Sequence, residues 1–569
     1  MQGERFRNTL RARLEESADR VLLRVIPSHS DRTPINLTGR QILESSQRIA
    51  EQYCQSPASS VVLILLPHCV ELFLLQLGLV LSGRYPAILA WPTNRIDPEK
   101  YQNNLLHQLR NLPAAELLTL PQLARNLNPG LPYRVTPCAI PGAELWTKAL
   151  AVEVKTEPVE KHPGGGGSRA IAEDALFLQF SGGTTGAQKC VVVTASILDA
   201  QLQRLQKCLG FTESDTVVSW LPMYHDMGLI ACLWFPLWNG APSVQFAASD
   251  WLLDPGMLFE MMERYHGTFS WLPNFAFSYL AAQQGRMEGP YSLKHVRALV
   301  NCSEPVRLTA MRNFQEAFAD WGLDAAHLQA SYAMAENVFA VTQTPLGETV
   351  RTVPRAEISR GSARELSFDM IDEVYVSSGC ALEGTQIRIR RNDGSLCGAD
   401  EPGDIEILTH SLFDGYWGND GFQRQAMTSD GWYATGDYGF LNNGHLYVIG
   451  RSKDIVIVGG QNVFPEDVEF VANSVEGVYP GRVVVFGVQD PEQGTESLAV
   501  VAEMRGEYEP QRAQQINRHI HRTVLSAVGI APRYVKVVPE RWIVKSTAGK
   551  ISRKETRIRF LAENGLTKQ

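Results

Sequence analysis

The run Leu178-Gln179-Phe180-Ser181-Gly182-Gly183-Thr184-Thr185-Gly186-Ala187-Gln188-Lys189 sets three glycines, three hydroxyls and a lysine behind an apolar stretch. Glycine lets backbone N–H groups approach phosphate oxygens closely. Ser181, Thr184 and Thr185 add donors, and Lys189 adds a point charge. The pattern is not a Walker A loop, because Lys189 is separated from Gly186 and is followed by Cys190 rather than Ser or Thr. Taken alone, the same residues suit a Gly-rich turn with no ligand. Four further segments carry chemistry-bearing types in order: Ser331-Tyr332-Ala333-Met334-Ala335-Glu336, Tyr433-Ala434-Thr435-Gly436-Asp437, Gly450-Arg451-Ser452-Lys453-Asp454 and Ser546-Thr547-Ala548-Gly549-Lys550-Ile551-Ser552-Arg553.

These segments need a scaffold. Gly39 to Tyr53 has helical periodicity, Ser60 to Leu66 is an apolar run of strand length, Val70 to Ser82 reads as a helix ended by Gly83, and Tyr85 to Ala90 as a second strand. Such alternation argues for a parallel α/β layer covered on both faces. It resumes from Ala175 to about Leu408, with strands expected at Ala175–Phe180, Thr216–Leu221, Val296–Val300 and Val374–Val376. Past the polar turn at Gly450–Asp454 the chain changes to a smaller α+β pattern: Pro465–Ser474, Arg482–Val488, Leu498–Met504, Pro510–Val528 and Tyr534–Val538. The expected boundary falls at Lys453-Asp454, giving domains 1–453 and 454–569. Gly164-Gly165-Gly166-Gly167-Ser168 has the composition of a flexible surface linker.

The composition narrows the classes. With 569 residues, 44% hydrophobic and 20% charged, the chain is an ordinary globular mix of several domains. A net charge of −8 gives no global field for nucleic acid or anionic membrane. Nine widely spaced cysteines without a C-x-x-C pair argue against a zinc knuckle or a secreted disulfide framework and suit a reducing cytoplasm. The start of the chain lacks the apolar core of a signal peptide. The Val61–Leu81 stretch is broken by Pro67, His68 and Glu71, so a buried strand and helix fit it better than a membrane span.

In order and spacing, the Gly-rich loop and the four later segments resemble the adenylate-forming superfamily of acyl-CoA ligases, adenylation domains and luciferases, over nearly the whole chain. Within it, Trp220-Leu221-Pro222-Met223-Tyr224-His225-Asp226-Met227-Gly228-Leu229-Ile230, Leu272-Pro273-Asn274-Phe275-Ala276 and Asn301-Cys302-Ser303-Glu304-Pro305-Val306 look like the fatty acyl-AMP ligase branch. The long stretch from Glu336 to Gly379 points the same way, since in that branch it goes with stopping at the acyl-adenylate or passing it to a carrier protein. The sequence departs from the pattern at Gly182, Gln188, Ala333, Cys302, Ser303 and Val544. Ala333 and Cys302 leave acyl-pocket width open, and the Ser181-Gly182-Gly183 variant also looks like that of aryl-acid relatives.

The resemblance implies an α/β fold, with a large multi-subdomain N-terminal domain and a small mobile α+β C-terminal domain. It implies ATP-dependent activation of a carboxylic acid, expected to be a fatty acid, to acyl-AMP with pyrophosphate release, with Mg²⁺. Transfer to the phosphopantetheine thiol of a separate acyl carrier protein follows, in a setting of polyketide or lipopeptide biosynthesis. Lys550 is expected to be catalytic, reaching the carboxylate and α-phosphate together, with His225 beside the acyl group. The nucleotide is expected on Ser181, Gly182, Gly183, Thr184, Thr185, Gly186, Lys189, Ser303, Glu304, Ser331, Tyr332, Asp437 and Arg451. Within that set Asp437 would accept from the ribose hydroxyls, Arg451 would bind the ribose and Tyr332 would stack on adenine. Glu336 and Thr184 are the expected metal ligands, since Mg²⁺ prefers hard oxygen donors. Trp271, Phe275, Ala333 and Met334 are the expected acyl pocket, and Lys453 the hinge. A basic tail of Lys550, Arg553, Lys554, Arg557 and Arg559 could steer an acidic carrier, though a solvated charged helix suits it better. Two other readings stay open: an acyl-CoA synthetase or aryl-acid ligase, and a nucleotide-binding interaction protein without turnover.

Overall fold

The computed structural model describes residues 2–28, 32–91, 101, 105, 109, 114–127, 134–138, 172, 174–180, 189–358, 374–417, 426–459, 461–490, 495–545 and 551–566. The expected linker at Gly164–Ser168 lies outside them.

Val61–Leu65 is buried at every position, as a strand covered on both faces must be. Its alternate residues feed two cores: Val62 and Ile64 join one apolar cluster, while Val61, Leu63 and Leu65 join another. This strand lies inside a six-stranded sheet in the order Arg134–Pro137, Glu116–Thr119, Val61–Leu65, Tyr85–Ile88, Ala175–Phe180, Cys190–Thr194. All neighbours are parallel except the last pair, an antiparallel hairpin with Phe180 opposite Cys190. The Gly-rich segment is therefore the connection between two fully buried strands.

A second sheet has thirteen strands. Val21–Val25, Ser243–Gln245, Val217–Ser219, Phe269–Leu272, Ala298–Asn301 and Leu328–Ala333 run parallel in that spatial order. Beyond Leu328–Ala333 every pairing is antiparallel, through Ala340–Gln343, Cys380–Ala381, His445–Arg451, Tyr433–Asn442, Gly403–Leu408 and Gln386–Arg390. The expected parallel alternation thus stops well short of Leu408. The physical reason is a short connection: only residues 334–339 separate Leu328–Ala333 from Ala340–Gln343, too few for the crossover that a parallel neighbour needs, so the chain returns antiparallel.

From Val456 onward the described core is separate. A three-stranded sheet, Val478–Asp490, Thr495–Met504 and Tyr534–Val538, carries helices on both faces. Val483, Val485, Val500 and Ala502 pack with the helices Pro465–Asn473 and Pro510–Val528, while Val484, Phe486, Ala499 and Val501 pack with Phe560 and Leu561 of the helix Arg553–Glu563. Across the seam, Phe464 lies against Tyr438 with ring centroids 5.9 Å apart. Among the described residues no helix is long and apolar enough to cross a membrane.

Candidate active site

Asp437 and Arg451 stand opposite each other across the hairpin that Asn443-Gly444 closes. Arg451 Nε lies 2.8 Å from Asp437 Oδ1, and the Tyr332 hydroxyl donates to Asp437 Oδ2. Thr435 Oγ1 accepts from the Asp437 backbone N–H at 3.1 Å and donates to Ile405 O at 2.9 Å, which pins the turn. Burial pushes the Asp437 carboxyl up, against the opposing pull of Arg451 and the Tyr332 hydrogen bond. Arg451 is held further toward its charged form chiefly by Asp437. Burial, then the Asp437 anion, raises the Tyr332 phenol well above its usual range. Three segments far apart in sequence thus meet at one carboxylate.

A second cluster adjoins it. Glu336 sits in the turn Ala335–Asn337 that follows the strand Leu328–Ala333. Its Oε1 accepts from the Tyr416 hydroxyl at 2.5 Å, and Tyr416 and Tyr433 hydroxyls are 3.3 Å apart. Tyr416 bridges to Val191, and Trp417 N–H donates to Cys190 O at 2.7 Å, so this segment is sewn to the strand that follows the Gly-rich connection. The Lys189 ammonium lies 4.7 Å from the centre of the Tyr416 ring. Tyr416 was not among the residues read from the sequence; its only local signal is the aromatic–glycine run Phe413-Asp414-Gly415-Tyr416-Trp417. Lys453 sits in the turn Ser452–Asp454. Burial lowers its ammonium, Asp454 counters, and Arg451, Lys189 and Lys554 push it down further. Several cations therefore converge beside Asp437 and Glu336.

His225 occupies the turn after Trp220-Leu221-Pro222, with its Nδ1 2.6 Å from Asp226 Oδ1. Asp226 Oδ1 also accepts from Met227 N–H at 2.8 Å and begins a π-helical stretch, Met227–Trp234. Gly228 makes the turn possible, because a Cβ there would lie 2.3 Å from Pro222 O. Ser303 has φ 74°, a strained value for a residue with a Cβ, and its Oγ lies 3.6 Å from Met227 Sδ. Glu304 Oε2 accepts from Phe275 N–H at 2.8 Å.

The other expected residues fall as follows. Ser331 is buried, its hydroxyl donated to Thr342 O at 2.8 Å. Ala333 and Met334 are half-buried beside Tyr332. Trp271 is fully buried, 6.0 Å from the rings of both Phe235 and Phe269. Phe275 is 46% exposed and lies edge-on to the stacked pair Trp220 and Trp251. Ser181, Gly182, Gly183, Thr184, Thr185, Gly186 and Lys550 lie outside the described residues.

Two ionic clusters hold the C-terminal part. Asp467 takes Arg307 Nη1 at 2.8 Å, Arg355 Nη1 at 2.8 Å and Arg355 Nη2 at 3.1 Å. Burial would raise the Asp467 carboxyl, but the two guanidinium groups overrule it and hold it at about 2. Arg553 meets Asp454 at 3.4 Å, Glu466 at 3.1 Å, Val485 O at 2.7 Å and Glu469. Burial and the neighbouring Glu469 push Glu466 to about 7 despite Arg553.

The AMP-binding enzyme family model matches residues 11–417, and the chain belongs to that family. It is an adenylate-forming ligase of the fatty acyl-AMP ligase-like kind. The long-chain-fatty-acid–AMP ligase FadD32 of Mycobacterium marinum is 30% identical over 438 residues, spanning 68% of each chain. FadD32 of Mycolicibacterium smegmatis is 26% identical over 582 residues, spanning 93% of this chain and 90% of that one. A structure from a study of fatty acyl-adenylate ligases from E. coli and L. pneumophila shares the fold, with TM-score 0.78, 22% identity and 98% of both chains covered. So does the McyG A-PCP structure complexed with phenylalanyl-adenylate, with TM-score 0.79, 20% identity and coverage of 99% of this chain and 83% of that one.

Proposed function

We propose that this ATP-using, acid-adenylating enzyme activates a fatty acid to acyl-AMP, releases pyrophosphate and passes the acyl group to the phosphopantetheine thiol of a separate acyl carrier protein. The observation that carries the reading is the meeting of Tyr332, Asp437 and Arg451 beside Glu336, Tyr416, Lys189 and Lys453. The likeness to the FadD32 long-chain-fatty-acid–AMP ligases supports the choice of acid.

The first step needs little acid–base help, because a free carboxylic acid is ionised at neutral pH. A carboxylate oxygen attacks the α-phosphorus of ATP in line, a new C–O–P linkage forms, and the bond to the pyrophosphate oxygen breaks. The obstacle is bringing anion to anion, so catalysis rests on positioning and charge neutralisation. Asp437 accepts from the ribose hydroxyls, Arg451 steadies Asp437 and the ribose, and Tyr332 packs on the adenine. Lys189 and Ser181–Gly186 cradle the phosphates, with Ser303, Glu304 and Ser331 completing the nucleotide wall. Lys550 bridges carboxylate and α-phosphate, and His225, fixed by Asp226, orients the acyl carboxylate. Phe275, Met334, Ala333 and Trp271 face the acyl chain. Glu336 is a half-buried carboxylate beside the phosphate side of the site, a donor that suits Mg²⁺, which keeps phosphate oxygens in its shell. Glu336 and Thr184 would hold the ion, which neutralises phosphate charge when bound.

We place the domain boundary at Lys453-Asp454, supported by the separate apolar clusters beyond Val456. Rotation about Lys453 would withdraw Lys550 and admit the thiol. The nine cysteines, none of them joined in a disulfide, support a reducing, cytoplasmic setting.

The test is pyrophosphate release over a panel of acids with ATP and Mg²⁺, for wild type and Lys550→Ala, with CoA or a holo-carrier as acceptor. Release with medium or long fatty acids, loss in the variant and transfer only to carrier are expected. Transfer to CoA, or release with aryl acids alone, refutes the reading. A Lys453→Pro variant is expected to keep adenylation and lose transfer; normal rates in both steps refute the hinge.

A further inference from the structure

The tail arginines are engaged internally. Arg553 is surrounded by three carboxylates, Arg557 Nε donates to Gly487 O at 2.9 Å, and Arg559 reaches Trp542 O at 2.8 Å and Glu563 at 3.0 Å. They do not form the open basic face that the sequence suggested. A different element does. The chain carries 61 acidic residues in 569 and a net charge of −8, yet Pro510 to Pro539 holds no Asp or Glu.

The helix Pro510–Val528 lies inside that stretch. Ile516, Ile520 and Val524 bury its inner face against the C-terminal sheet. Arg518, Arg522 and Leu525 fall at i, i+4 and i+7 on the opposite face, where helical geometry makes them one stripe. Both arginines are exposed, and Leu525 is 44% exposed. Among the described residues no carboxylate pairs with Arg512, Arg518 or Arg522; Arg518 Nε only touches Gln514 O of its own helix, at 3.4 Å. The helix packs beside Pro465–Asn473, which meets Arg307 and Arg355 through Asp467. The helix is thus one element removed from the seam between the two parts of the chain, and its stripe faces away from the C-terminal sheet.

We propose that the Arg518–Arg522–Leu525 face is the docking surface for an acidic helix of the phosphopantetheine-bearing carrier. This rests on the carrier-acceptor reading above. An acidic enzyme and an acidic carrier repel each other overall, so productive encounter needs a local positive face. At physiological ionic strength charge acts over only about 8 Å, so the landing site is set by exposed local cations rather than by net charge. Two guanidinium groups meet carboxylates on one face of the carrier helix, and Leu525 supplies an apolar anchor below them.

The experiment compares full-length wild type with Arg518→Glu/Arg522→Glu and the milder Arg518→Gln/Arg522→Gln. The probe is a fatty-acid-synthase holo-acyl carrier protein, and acid-dependent pyrophosphate release without carrier is measured in parallel. The expected result for the charge reversal is a KM for carrier at least tenfold higher, with a flattened salt dependence and unchanged pyrophosphate release. The Gln variant should fall in between. If wild type loads the carrier and both variants load it equally well, the docking surface is refuted while the carrier reading stands. If wild type loads CoA and not the carrier, the carrier reading fails and takes the surface with it. If the variants lose binding to anionic phosphatidylglycerol vesicles while carrier KM is unchanged, the face belongs to a membrane and the proposal is overturned.

Discussion

Replacing Asp467 by Asn tests the ionic contact that joins the C-terminal part to Arg307 and Arg355. The carboxylate lies within 2.8 Å of both guanidinium groups and is 15% exposed, so solvent screens it little. Held at about 2 instead of the ordinary 3.8, it contributes on the order of 2 kcal/mol to docking. The sign follows from the depressed value. The contribution is complete above about pH 4 and is lost as pH falls through about 2, so an assay at pH 7.5 reads all of it. A loss of about 2 kcal/mol raises the undocked population roughly thirtyfold. Arg451 precedes the connecting turn and Lys453 lies within it, and both are trypsin sites. With reclosing fast relative to cleavage, the rate of cutting there tracks the open population. The expected outcome is a ten- to fiftyfold faster appearance of fragments ending near residue 453 in Asp467→Asn, with far-UV circular dichroism unchanged. A rate within twofold of wild type would refute the reasoning, because Arg307 and Arg355 would then be indifferent to the charge they enclose.

Other perturbations read the site directly. Asp437→Asn removes the charge that Arg451 and Tyr332 hold and should lower kcat/KM for ATP by roughly 10²–10³-fold, the worth of one or two charge-assisted hydrogen bonds; an effect under threefold counts against a ribose role. Tyr416→Phe deletes the 2.5 Å bond to Glu336 and should cost about tenfold or more in pyrophosphate release, with a raised Mg²⁺ requirement; an unchanged Mg²⁺ titration argues against it. Glu466, pushed up to about 7 from an ordinary 4.5, costs stability as pH rises through that interval. Glu466→Gln should therefore gain on wild type in Tm between pH 5 and pH 8, by the equivalent of about 1 kcal/mol or more; equal differences at both pH values would contradict that sign.

Much of this architecture could be read from local pattern. Pro510–Val528, Tyr534–Val538 and Ala175–Phe180 have the same limits in the sequence reading and in the structure, because each is a long periodic or continuous apolar run between clear breakers. The pairing of Asp437 with Arg451 was within reach too, since Asn443-Gly444 between two apolar runs is a strong hairpin signal. The short run between Ala333 and Ala340 ends parallel pairing before Leu408, since a parallel crossover needs a dozen or more residues. Tyr416 is different: it meets Glu336, 80 residues away, and Val191, on a different sheet, and no local periodicity carries such a contact. Arg553 misleads for a related reason. A run of basic residues reads as a solvated face, and only the fold brings Asp454, Glu466 and Glu469 around one of them.

The strand order of the larger sheet has a consequence for the chain as it is made. Val21–Val25 and Ile35–Thr38 form an antiparallel pair early, but the parallel neighbour of Val21–Val25 is Ser243–Gln245. Translation at about 5–20 residues per second leaves that edge without its partner for roughly ten to forty seconds. Until then Leu22, Leu23 and Val25, all fully buried in the finished sheet, stand at an open edge of a nascent chain. The amino-terminal hairpin thus presents an apolar edge that a holding chaperone would cover, and slowing codons between residues 38 and 243 would lengthen its exposure and lower the soluble yield.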